Sequence, residues 1–118
     1  LIAEIIKPGK IYSVEIIKEL YERVKEKLKG YRNVELVNGD GGLGLKEYVP
    51  YDRIIITAAC PKIPENLIEQ LKINGILLAP VGKIDQDMIR LTKTKKDSKI
   101  ENLGKYVFVE LIGKYGFK

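Results

Sequence analysis

The sequence predicts an α/β fold, a mostly parallel sheet finished by an antiparallel edge. Three observations carry this. Apolar residues at strand spacing and at helical spacing alternate through the first two-thirds of the chain. The run "DRIIITAAC" is continuously apolar after its charged start, as strands buried on both faces are. The last third has no long helical pattern; two β-rich stretches flank the charged turn "KTKKDSK". Strand–helix alternation followed by a hairpin gives a parallel sheet with an antiparallel margin.

Residues 1–7 read as the last turns of a helix, closed by Pro8-Gly9. "KIYSVE" is the first strand, about 10–15. From 16 to 29, Ile16, Ile17, Leu20, Tyr21, Val24 and Leu28 recur at helical spacing, and Gly30 stands where a helix-ending glycine would. "NVELVNGD" is the second strand and "GGLGLKEYVPY" a loop. The third strand, 53–59, is expected to be buried on both faces. Pro64-Glu65 opens a helix, "ENLIEQLK", that stops at Asn74-Gly75. "ILLAPVG" is the fourth strand, and two more follow at about 86–94 and 105–111. No internal repeat or linker interrupts the chain, so residues 1–118 are expected to form a single domain.

Composition narrows the function classes. Charged residues make up 31% and hydrophobic ones 45%, as in a soluble globular protein. No apolar run reaches the ~20 residues of a membrane span. Glu4 and Lys7 interrupt the first apolar run, which does not read as a signal peptide. The single cysteine, Cys60, has no partner for an internal disulfide, which suits a reducing cytoplasm; it reads as a small buried hydrophobe. With no histidine, metal sites of the His/Cys type and Ser-His or Cys-His catalysis are not expected. The net charge of +5 is spread along the chain, and its one dense basic run reads as a solvated loop, so nucleic acid is not the expected partner. Abundant Lys, Glu and Ile with scarce Gln suits a protein from a hot environment.

The candidate site residues lie at strand ends. Ligands of open parallel sheets sit beyond the carboxyl ends of the strands, and Glu15 and Asp40 both fall there. The two oxygens of a carboxylate match a vicinal diol such as that of a ribose. Glu15 can equally serve as an anion at the start of the following helix, worth up to ~1 kcal/mol. Both readings stand on the sequence. Asp40 is flanked by Gly39, Gly41 and Gly42, which allow close approach to a flat ligand, and it can accept a hydrogen bond from an exocyclic amine. A tight turn needs the same residues, but two acids at adjacent strand ends are a stronger pairing, because one adenosine can span both.

The segments "YSVEI", "NGDGGLG", "PYDRIIITAACPKIPENLIEQLKINGILLAPVG" and "YVFVELIGKYGF" resemble the protein-L-isoaspartate O-methyltransferases, especially archaeal ones, in order and along the whole chain. The resemblance implies a Rossmann-like class I fold that uses S-adenosylmethionine. It implies methyl transfer to the α-carboxyl of L-isoaspartyl residues in damaged proteins, followed by collapse of the ester to a succinimide and hydrolysis. Carried over by position, Glu15 would hold the ribose hydroxyls and the Ile16 backbone would lie along the adenine. Asp40 and Gly41 would meet the adenine edge. Ala58, Ala59 and Pro61, with Val81 and Gly82 of the "PVG" turn and Ile112 of "LIG", would lie on the substrate side. Tyr12, Tyr48 and Tyr51 read as packing groups. No metal is implied, and methyl transfer from a sulfonium can proceed largely by positioning and electrostatics.

One departure is large. The family's glycine-rich nucleotide loop, and the upstream hydroxyl residue near the accepting carboxylate, should precede "LIAEI" and are not in this sequence. The chain is therefore expected to be the C-terminal portion of a longer enzyme, with its catalytic residues upstream, and to be inactive alone. In the family's sheet the missing first strand is central, so strands 10–15 and 53–59 would each show an open apolar edge, inviting pairing with another chain, such as a second copy, or direct closure of the gap. Two other readings remain open: a non-catalytic binding or assembly module, and a nucleic-acid methyltransferase. The second lacks a motif such as "D-P-P-Y" after its catalytic strand, where this chain has "TAACP".

Overall fold

The computed structural model describes Ile2 and residues 8–117. Apart from Ile2, the helix tail expected at 1–7 lies outside the described residues. In chain order the elements are β1 (Ile11–Glu15), α1 (Lys18–Lys27), β2 (Val34–Asn38), 3₁₀ turns at Gly41–Leu43 and Lys46–Tyr48, β3 (Tyr51–Ile55), α2 (Glu65–Gln70), β4 (Leu71–Val81), β5 (Gln86–Lys93) and β6 (Ser98–Tyr106). They fall into two compact units, Leu1–Gly41 and Gly42–Lys118. The fold is the expected α/β class, with parallel pairing first and antiparallel pairing last. Among the described residues no helix is long and apolar enough to cross a membrane.

In the first unit β1 and β2 pair in parallel, from Ile11 opposite Val34 to Glu15 opposite Asn38. The connecting helix α1 starts two residues later than its apolar spacing predicts, because Ile17 is still extended (φ −84°, ψ 111°). It ends as Leu28 N–H donates to the Val24 carbonyl and Tyr31 N–H to the Leu28 carbonyl, each at 3.0 Å. Gly30 is not among the positive-φ glycines, so it is not the left-handed terminator that the sequence suggested.

The second unit is a four-stranded sheet in the order β3-β4-β5-β6. Its core is Cys60, Leu67, Leu71, Leu77, Ala79 and Leu91, with Ile54, Ile56, Ile63, Ile68, Val81 and Leu111 packed around it. Leu77, fully buried, contributes about 1.5–3 kcal/mol by leaving water. Three expectations need correction. The strand β3 is not buried on both faces: it is an edge strand, and Ile55 is 58% exposed. The helix α2 ends at Gln70 and β4 begins at once. From β5, Lys93 Nζ donates to the carbonyls of Ile68 (2.9 Å), Leu71 (2.9 Å) and Glu69 (3.3 Å), which caps α2 before Asn74-Gly75 is reached. The last strand is 98–106 rather than 105–111. There a turn decides the register. Thr94 N–H and Oγ1–H both donate to the Asp97 carbonyl and Asp97 N–H donates to Thr94 Oγ1, so the chain doubles back at once. The polar stretch after the turn then pairs with β5, with Arg90–Glu101 (2.7 Å) and Lys105–Asp87 (2.8 Å) across the strands.

Candidate functional site

The parallel register brings the first group of site residues together. Glu15 ends β1 opposite Asn38, which ends β2. The Glu15 carbonyl accepts two hydrogen bonds, from Gly39 N–H at 3.0 Å and from Asn38 Nδ2 at 2.8 Å. Asn38 Nδ2 also reaches the Ile16 carbonyl, at 3.4 Å. These latches hold the Gly39-Asp40-Gly41 turn beside Glu15 and Ile16. Gly41 packs beside Val14, where an added Cβ would make an ordinary contact at 3.8 Å. The carboxylate of Glu15 accepts a hydrogen bond from the Ile17 N–H at 3.5 Å, at the start of α1, while the N-cap residue Ile17 has no side-chain cap of its own. Glu15, Ile16, Asp40 and Gly41 thus form one cluster, in the first unit.

The residues expected on the substrate side lie in the second unit. Ala59 and Cys60 run between two neighbours. On one side Cys60 N–H donates to the Pro80 carbonyl and Gly82 N–H to the Cys60 carbonyl, both at 2.9 Å. On the other, Ala59 N–H donates to the Val109 carbonyl (2.6 Å) and Leu111 N–H to the Ala59 carbonyl (2.7 Å). Val81 bridges Cys60 and Glu110 bridges Ala59. Ala58, Ala59, Val81 and Gly82 are therefore neighbours in the chain or across a bridge. Ile112 follows Leu111 and is 58% exposed. Pro61 is exposed and borders a separate groove of about 560 Å³ with Pro64, Asn66, Lys114 and Tyr115. Gly82 has φ +124°, a conformation open to glycine alone. Cys60 is buried, donates its thiol to the Pro80 carbonyl at 3.4 Å, and has its pKa pushed up to about 11 by burial. It is a packing residue with little nucleophilic character.

Sequence reasoning missed the residues that hold these segments. Both glutamines of the chain are buried. Gln70 accepts from Leu45 N–H and donates to the Leu43 carbonyl, each at 3.1 Å, while Asn66 donates to the Gly42 carbonyl at 2.9 Å. Tyr51, read as a packing group, also donates its hydroxyl to the Leu45 carbonyl at 2.6 Å. Gln86 holds Phe108. Scarcity was the only signal: an uncommon neutral amide in a charge-rich chain is where a buried backbone needs a partner. Among the described residues, no cluster of three or more metal-ligating side chains occurs.

The chain matches the protein-L-isoaspartate(D-aspartate) O-methyltransferase family over residues 1–116. A protein-L-isoaspartate O-methyltransferase of Methanothermobacter thermautotrophicus is 48% identical over 124 aligned residues, covering 100% of this chain and 57% of the relative. One from Dictyoglomus thermophilum is 52% identical over 111, covering 92% and 50%. This chain thus spans little more than half the length of the curated relatives it matches. A solved protein-L-isoaspartate O-methyltransferase superposes with TM-score 0.88 at 28% identity, over 93% of this chain and 36% of that one. A Plasmodium falciparum structure described as a protein-L-isoaspartate O-methyltransferase, in complex with S-adenosyl-L-homocysteine, superposes with TM-score 0.77 at 23% identity, over 90% and 54%, a likeness of fold. From the family match across nearly its whole length and the relatives near half identity, the chain belongs to the protein-L-isoaspartate(D-aspartate) O-methyltransferase family.

Proposed function

We propose that this chain carries the adenosine-binding and substrate-side parts of a methyltransferase that uses S-adenosylmethionine to methylate the α-carboxyl of L-isoaspartyl residues in damaged proteins. The observation that carries the reading is the latch between β1 and β2, which sets Glu15 beside the Gly39-Asp40-Gly41 turn. The residues fit the donor. When the donor binds, Glu15 would accept from the ribose hydroxyls, Asp40 would accept from the adenine amine, and Ile16 and Gly41 would offer backbone to the base. The bound donor supplies an electrophilic sulfonium methyl. The chain's own residues bind and orient: Ala58, Ala59, Pro61, Val81, Gly82 and Ile112 form the side that receives the isoaspartyl protein. A carboxylate is already nucleophilic, so the chain needs no base to activate it.

The 118 residues act as one domain and work in the cytoplasm. The alternatives, a non-catalytic module or a nucleic-acid methyltransferase, have no comparable support, since the matched family is one of protein methylation.

Calorimetric titration with S-adenosylhomocysteine tests the reading. The chain binds, and Glu15→Ala and Asp40→Ala each weaken binding about ten-fold or more, the loss expected when a charge-assisted hydrogen bond worth ~1.5–3 kcal/mol is removed. No binding by a folded chain, or equal binding by both variants, would refute it.

A further inference from the structure

We infer that Gln86 is a positioning residue for the substrate side, a reading that rests on the function proposed above. Its side chain joins the "PVG" turn to the C-terminal segment and so sets the course of residues 107–111 along Ala59.

Gln86 is 2% exposed, and its last backbone pairing across the hairpin is with Tyr106. Beyond that point the carboxamide takes over as a strand partner. Phe108 N–H donates to Gln86 Oε1 at 2.6 Å, and Gln86 Nε2 donates back to the Phe108 carbonyl at 3.0 Å. The same nitrogen donates to the Lys83 carbonyl at 3.1 Å, one residue past Gly82. Both amide hydrogens and the oxygen are therefore spent on backbone. Immediately after Phe108, Val109 and Leu111 make their hydrogen bonds with Ala59. Val107 and Val109 are 86% and 77% exposed, so ahead of Leu111, which packs on the core, apolar packing alone does not fix the stretch around Phe108. An extended stretch with exposed side chains needs its backbone held, and Gln86 holds it at Phe108.

Hydrogen exchange and binding on the same chain test this. In the unaltered chain the Phe108 amide exchanges slowly although its neighbours are exposed. In Gln86→Met, which keeps the volume, the amides of Phe108, Ala59 and Leu111 exchange about ten-fold faster or more, as loss of a hydrogen bond worth ~1.4 kcal/mol requires, while those of Leu77 and Leu91 do not change. Affinity for an isoaspartyl peptide falls by a similar factor, and S-adenosylhomocysteine affinity holds within about two-fold. Fast exchange at Phe108 in the unaltered chain would overturn the inference without reference to any variant. So would a uniform rise in exchange across the core, an equal loss of both ligands, or no peptide binding by the unaltered chain. If peptide binding depends on Gln86 while S-adenosylhomocysteine fails to bind at all, the inference stands and the adenosine reading falls.

Discussion

Gly82→Ala measures how tightly the substrate-side turn is built. At φ +124° an alanine is strained by about 1–3 kcal/mol. Its Cβ would also land on the Asp85 carbonyl oxygen, 3.2 Å from the carbonyl carbon and 3.3 Å from Gln86 Cα. That obstruction is backbone, so the turn itself must move, and the moving residue is the one that holds Phe108. Losing one or two of its hydrogen bonds adds about 0.5–1.5 kcal/mol each, and the unfolded-state gain of replacing glycine offsets only about 0.4–1 kcal/mol. The net expectation is a loss of about 2–4 kcal/mol. Gly104→Ala separates the two causes: Gly104 has φ +115° but nothing within 4 Å of an added Cβ, so it pays the conformational cost alone. Gly30→Ala, with open space and no positive φ, is neutral or slightly stabilising. Equilibrium unfolding in guanidinium chloride reads all three. If Gly82→Ala costs no more than Gly104→Ala, the crowding at Asp85 has no energetic weight and the account of this turn is wrong.

Two further outcomes are expected. Because burial raises the Cys60 thiol from 9.0 to about 11, the folded state retains its proton where the unfolded state loses it; this contribution is fully present below about pH 9 and is lost as pH rises through 11. The stability of the unaltered chain relative to Cys60→Ala should shrink over that window, and the native thiol should react with a disulfide reagent at pH 8 far more slowly than the unfolded one; a constant difference from pH 8 to 11 would count against burial as the cause. Replacing Lys93 with Met strands three carbonyls at the end of α2 and should cost about 1–3 kcal/mol, with amide exchange rising first in α2; a variant as stable as the parent would show that water replaces the ammonium without loss.

The strands β1 and β2 and the acids at their ends were legible in the sequence because period and chain order specify them locally. Glu15 and Asp40 could be paired before any coordinates, since both lie at the carboxyl ends of strands joined by one helix. The start of α1 and the conformation of Gly30 were misread locally, while the errors in the second unit depended on partners far along the chain. The run "YVFVELIG" has the strand pattern, yet β5 is already occupied by "SKIENLGKY", because the turn at Thr94–Asp97 returns the chain first. The end of α2 is set by Lys93, which lies more than twenty residues on, so no local stop signal could reveal it. The expected burial of β3 was read from its apolar run, which says how well a strand suits burial and not what covers its faces; its open edge, expected from the family's sheet, is found among the described residues.

The two site groups are held by different means, and this determines how each responds to substitution. At Glu15 the latch includes backbone: Gly39 N–H on the Glu15 carbonyl persists whatever side chain occupies 38, and the parallel register supports it. An acid placed that way keeps its position through many local changes, so altering the carboxylate itself is the informative test. On the substrate side, the hold on residues 107–111 passes through side chains and turns, with the Gln86 carboxamide at one end and Gly82 allowing the turn beside it. Removal of a single amide there leaves a part-buried backbone N–H and two carbonyls to find new partners, at up to about 1–3 kcal/mol for each that water does not reach. Adenosine recognition should therefore tolerate changes around its carboxylates better than the substrate side tolerates changes around Gln86, and a binding profile that separates donor from peptide would show that difference directly.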